Sequence, residues 1–256
     1  MTSRHLVRAL CILVTFAGAL AACSKSASNG TASNTSEPSL QDALSPAAVA
    51  SAVAAAHTQA LPKPDPATPD EAYVQLNSGN QLMFLYAALS GLPPDFNAMA
   101  RNYSQAYAQT TDEFQKHDLM LSLKPRMLHA IQEAKAHPYV VYEDDTPSIG
   151  HYNFATHAFP VGAAEFSGSG YVSYSDNNNY SLDFSNAEDF GQLRVNDEAL
   201  AQRIEQMVSN FAPLKLRVFV FADDVDPSRQ WVLARVVKVQ LLDANDQVLL
   251  TQSAKS

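Results

Sequence analysis

Cysteine is nearly missing from this chain. Among 256 residues only Cys11 and Cys23 occur, and Cys11 sits within the apolar leader. Cleavage before Cys23 would leave one cysteine, so no internal disulfide could form. A cysteine nucleophile and cysteine-ligated zinc in the body are excluded by the same count. Long apolar runs are missing too: residues 9–20 form the leader's apolar stretch, which is too short for an ordinary spanning helix. Basic charge is scarce, with 17 Lys plus Arg against 26 Asp plus Glu and a formal charge of −9. Without residues 1–22 the basic count drops to 15 and the acidic count stays at 26, giving −11. Such a surface repels phosphate backbones, so no nucleic-acid partner is expected, nor a polybasic lipid-binding patch. No P-loop and no G-x-G-x-x-G is present, and no cofactor is expected. "FSGSGYVSY" sets Ser167 and Ser169 beside glycines without the G-x-S-x-G spacing of a nucleophile elbow.

What the chain does carry begins at its first residues, "MTSRHLVRALCILVTFAGALAAC". Arg4 and Arg8 precede the apolar stretch, and small residues precede Cys23. This is the layout of a secretory signal. "LAAC" resembles the bacterial lipobox, a resemblance that implies cleavage before Cys23 and a diacylglycerol thioether on its sulfur. Each buried methylene contributes about 0.8 kcal/mol, so several acyl chains hold a soluble body to a bilayer. By resemblance to a bacterial sorting rule, Ser24 after the lipidated cysteine favours the outer membrane over the inner, with the body facing the periplasm.

Three segments are expected: a signal peptide at 1–22, a lipidated tether at 23–69 and a single globular domain at 70–252. The tether is rich in Ser, Asn, Ala and Pro. Within it Ser45 and Pro46 could open a marginal helix over 46–60, and "PKPDPATPD" reads as a stiff spacer. In the domain, "NQLMFLYAALSGLPP" predicts a buried helix stopped by Gly91 and the prolines. Phe96, Met99, Tyr103 and Tyr107 repeat at helical spacing. A further helix should open on a Thr110–Glu113 capping box, present Phe114, Leu121, Leu128 and Ile131 to the core, and kink or split at Pro125. Short strands are expected in "YVVYE", "HYNFAT", "EFSGSGYVSY" and "YSLDFS". An amphipathic helix lined by Leu200, Ile204, Met207, Val208 and Phe211 follows. Two strong strands and a terminal hairpin at "DAND" complete the chain, with a bulge predicted where parity switches at Val236–Val237. The fold class is therefore α+β, an N-terminal helical layer packed on a mainly antiparallel sheet.

"LMFLYAALSGLPPDF" followed by "DEFQKHDLMLSLKPRM" resembles a family of exported bacterial lipoproteins carrying a domain of unknown function. The resemblance covers most of residues 70–252 and implies a buried helix, a second helix, strands and a terminal hairpin. It implies no chemistry for any residue.

Five groupings invite a closer reading. His129, Glu133 and His137 lie four apart, so one helix face could offer zinc two imidazoles and a carboxylate, the basis of a metal-dependent envelope hydrolase. The competing account is a surface pair with His137 acting on the helix dipole. His151 and His157 would share a strand face with Asn153. Glu113 and His117 could pair as orienter and base, or simply as an i,i+4 contact. Asp223, Asp224 and Asp226 would share a loop that lacks EF-hand spacing. Finally, Tyr139, Tyr142, Tyr152, Phe154, Tyr171, Tyr174, Tyr180 and Phe184 crowd the middle strands; half should be core, and the rest could line a groove. The expected role is non-enzymatic, binding or structural: the membrane is engaged through acyl chains on Cys23, and an envelope protein or wall component is the partner.

Overall fold

The computed structural model describes residues 47, 50, 51, 61–167 and 170–255. The chain divides into two units, Met1–Val53 and Ala54–Ser256. In the first, residues 47, 50 and 51 are helical and exposed. The leader, Cys23, Ser169 and the rest of the tether before residue 61 lie outside the described residues.

The second unit mixes helix and sheet. A 3-10 turn at Asp70–Ala72 leads into β1 (Val74–Gln75), α1 (Gly79–Leu89), α2 (Phe96–Tyr103), α3 (Gln105–Gln109) and α4 (Glu113–Ala136). Then come β2 (Tyr139–Asp144), β3 (Ala158–Pro160), β4 (Val172–Ser173), β5 (Ser181–Phe184), β6 (Gln192–Arg194) and α5 (Glu198–Ser209). β7 (Leu214–Asp226), β8 (Trp231–Asp243) and β9 (Val248–Ser253) close the chain.

Serine and aspartate start every one of these α-helices. Ser78, Asp95, Ser104, Asp112 and Asp197 each accept a backbone N–H of the first turn, satisfying donors that the helix cannot. Ser104 also ends α2, so the repeat from Phe96 to Tyr107 belongs to two helices. The cap of α4 is Asp112, not Thr110, which instead ends α3. Pro125 lies inside α4 without dividing it.

Strand order in the main sheet is β1-β2-β7-β8-β5-β4, with β9 also on β8, while β3 and β6 pair separately. The sheet is mixed, since β1–β2 and β5–β8 run parallel. Its spine is the long β7–β8 hairpin. Phe219 pairs with Lys238 and Val220 with Val236, so Val237 is the extra residue of the bulge that the parity switch predicts. Asp243 accepts N–H groups of Asn245 and Gln247 and so shapes the turn into β9.

Alternation along β7 and β8 separates two faces. Val218, Val220, Val236, Val239 and Leu241 join Leu82, Met83, Phe84 and Leu85 of α1, with Leu123 and Met127 of α4, in one core cluster. Each such side chain contributes about 1.5–3 kcal/mol on burial. The opposite face carries Arg217, 2.7 Å from Glu143, and Lys215, 2.7 Å from Asp246. It also holds a small apolar cluster of Tyr73, Val141 and Phe219.

Several expectations are corrected. Phe114, Leu121 and Leu128 do not face the core; they are 86%, 64% and 40% exposed, and α4 buries Leu123 and Met127 instead. Phe211 lies beyond α5 at φ 52° and is exposed. "HYNFAT" forms no strand: Asn153 and Ala158 make only an isolated bridge. Asp223, Asp224 and Asp226 end β7 and do not form a loop. Among the described residues no helix is long and apolar enough to cross a membrane.

Candidate functional site

Three local features fix the corner where β1, α1 and α4 meet. The Gln81 amide spans the β1–α1 link, donating to the Gln75 carbonyl at 2.8 Å and accepting the Asn77 N–H at 2.9 Å. The Tyr174 hydroxyl donates to the Leu76 carbonyl at 2.9 Å; burial pushes its pKa up to about 12, so it stays a donor at any ordinary pH. Asp176 accepts from the Ser78 hydroxyl at 2.5 Å and the Gly79 N–H at 2.8 Å, placing a carboxylate against the positive end of α1.

Behind that corner lies an apolar groove of about 420 Å³. β1 and its exit contribute Val74 and Leu76, α1 contributes Phe84 and Leu85, and β2 contributes Val140. Ala130 and Ala134, four apart on α4, form the remaining wall. Their missing bulk is what leaves the space. Gln81, His129, Glu133 and His137 supply the polar positions around it. Such a volume and lining suit a small apolar molecule oriented by a few hydrogen bonds.

The helix does set His129, Glu133 and His137 along one wall, as their spacing predicts. It does not assemble them into a ligand set. Glu133 and His137 approach to 3.8 Å, and among the described residues no group of three or more His, Cys, Asp or Glu could hold a metal ion. Glu113 pairs with Lys116 at 2.8 Å, and no Glu113–His117 contact is found among the described residues. His151 and His157 share no strand face. His151 Nδ1 meets Glu205 at 2.7 Å, while His157, at φ 50°, puts Nδ1 3.2 Å from the Tyr152 hydroxyl.

Glu205 is the pin of that loop. Partial burial alone would raise its pKa, but the Tyr152 N–H, His151 and the Ser209 hydroxyl together hold it below the ordinary 4.5. A folded-state value below the unfolded one adds stability above about pH 4.5, and this is lost as pH falls through the folded value. Glu205→Gln is therefore expected to cost about 1 kcal/mol at neutral pH, the gap to wild type closing on acidification. Urea unfolding across pH checks it; a gap that stays constant down to pH 3 would contradict the assignment.

The middle-strand aromatics do not build the groove. Tyr142, Tyr180 and Phe184 are buried, Phe154 and Tyr171 are exposed, and Tyr139, Tyr152 and Tyr174 lie between. Most are spent on one another: Tyr142 stacks on Phe184 at 6.0 Å, and Tyr152 meets Phe154 and Phe159, each at 5.1 Å. Asp223, 3% exposed at its side chain, pairs with Arg235 at 2.7 Å, and burial raises its pKa. The groove itself was not singled out from sequence. Its one signal was the Ala130–Ala134 pair within an otherwise bulky helix.

The chain matches no protein-family model, no curated protein and no solved structure.

Proposed function

We propose that this chain is a membrane-anchored bacterial envelope lipoprotein that binds rather than catalyses, its body holding a small apolar molecule in the α1–α4–β1 groove. The observation that carries the reading is the groove: about 420 Å³ with a mainly apolar lining and polar groups confined to a few positions. Glu133 accepts and the histidines donate or accept, which suits a molecule with an uncharged hydrogen-bonding end such as an amide or hydroxyl. The anchor is the thioether on Cys23, and Ser24 favours the outer membrane, with the body facing the periplasm. We read α1–α4 as one helical layer over the sheet, which makes the groove the seam between that layer and the sheet's β1 edge.

The neutral dye N-phenylnaphthylamine tests the groove in the purified chain. Saturable binding at one site is expected. Ala134→Phe, which fills the groove, and Val74→Glu, which charges its mouth without touching the core, should each weaken binding at least about tenfold. Leu121→Ser, on another face of α4, should leave it unchanged. Unsaturable binding, or binding indifferent to both groove variants, would refute the reading.

A further inference from the structure

α4 has two apolar faces. One is spent on the core through Leu123 and Met127. The other carries Phe114, Leu121 and Leu128 at intervals of seven, exposed over a length of about 21 Å. Beside them a hollow of about 410 Å³ is lined by His117, Lys124 and Pro125 as well as the two leucines. Seven-residue spacing keeps the three side chains in one row on the helix. Helical geometry places Glu113, His117, Lys124 and Lys135 along one margin of that row, and Asp118 on the other, so two lysines offset two carboxylates. The Lys124 ammonium already rests 5.1 Å above the Phe96 ring. On a chain of net charge −9, a face with large apolar side chains and balanced flanking charge is one that an anionic surface would not repel, so the apolar row supplies the attraction.

We propose that this outward face of α4 lies in the headgroup region of the anionic bilayer to which the chain is tethered, a proposal that rests on the lipid anchor set out above. Three arguments select lipid over a second copy. The row offers a few hundred Å², well under the roughly 800 Å² per partner of a standard protein interface. A surface to which the body is already attached needs little intrinsic affinity, because attachment supplies a high effective concentration. The 37 residues between Cys23 and Leu61 span at most about 130 Å, so the anchor permits the contact. Phe and Leu then enter the acyl boundary while Lys124 and Lys135 extend toward the headgroups.

The test uses the full chain, made with its own leader and reconstituted in vesicles of phosphatidylethanolamine and phosphatidylglycerol. Trp231 is the sole tryptophan, so wild type gives the background for Leu121→Trp. Brominated lipids should quench the added tryptophan at least about twofold, and Phe114→Ser with Leu128→Ser should abolish that quenching while the chain still floats with the vesicles. A floating chain whose added tryptophan is not quenched overturns the face and spares the anchor. A blue-shifted but unquenched tryptophan, with a chain that cross-links as a dimer, overturns it in favour of a second copy. A chain that stays in solution with Cys23 unmodified by mass spectrometry removes the anchor, and the proposal with it.

Discussion

Replacing Gly79 by alanine is expected to destabilise the domain by about 3 kcal/mol, although alanine is the better helix former. A Cβ at Gly79 would stand 2.1 Å from the Asn177 carbonyl oxygen and 2.8 Å from its carbon. Both are backbone atoms, so the clash cannot be relieved by turning a side chain. The 176–177 turn would have to retreat. In doing so it would loosen Asp176 from Ser78 and Gly79, and the Asn177 amide from Asn80 and Met83. Asn177 is buried, which makes the loss of its partners costly. The two effects have opposite signs, so a urea unfolding curve decides between them. A Gly79→Ala chain as stable as wild type would mean that the turn does not press on α1.

Phe219→Ala should cost about 3–5 kcal/mol, a large share of the stability of any domain this size. Phe219 is 1% exposed and points away from the helices, unlike Val218 and Val220 on either side. Its ring meets Tyr73 edge-on at 4.9 Å, and the Lys238 ammonium lies 4.6 Å from its centre. Its packed neighbours are Tyr73, Val141 and the partly buried Tyr139, a cluster too small to close over the vacancy without exposing Tyr73. A second reading comes from Tyr73, whose pKa burial pushes up to about 12. Uncovering it should bring that value down toward 10, visible by ultraviolet titration. Phe219→Leu should retain about half the lost stability. An alanine variant that loses under about 1 kcal/mol, with Tyr73 unmoved, would contradict the packing.

The parts of this fold that could be read from sequence are those governed by local rules. The parity switch at Val236–Val237 and the Asp-rich turn into β9 each depend on a few neighbouring residues, whereas the cap read at Thr110 belongs to Asp112. The face of α4 did not, because the helix has two apolar rows and periodicity alone cannot say which one meets the core. The larger side chains at 114, 121 and 128 made the outer row look stronger. The core instead took Leu123 and Met127, beside the small Ala130 and Ala134 that open the groove. The parallel pairing of β5 with β8 was equally hidden, since nothing in "YSLDFS" names a partner 50 residues on. His151 and His157 suggested a strand by spacing, but the Glu205 contact and the positive φ of His157 come from residues outside that window. The groove was illegible for a related reason: it is made by what three distant segments leave out.

The N-terminal edge of the sheet is secured from very late in the chain. Asp70 is bound by Lys238, 168 residues on, and by Gln240, 170 residues on. β2 waits for β7, which begins 70 residues after Asp144. A chain delivered front end first therefore has α1, α4 and β2 in the open, their apolar faces uncovered, until the last hairpin emerges. Closure comes as a single late event, so a stalled or shortened product lacking β8 would leave β5 and β7 without their shared partner and would depend on a holding chaperone for its solubility.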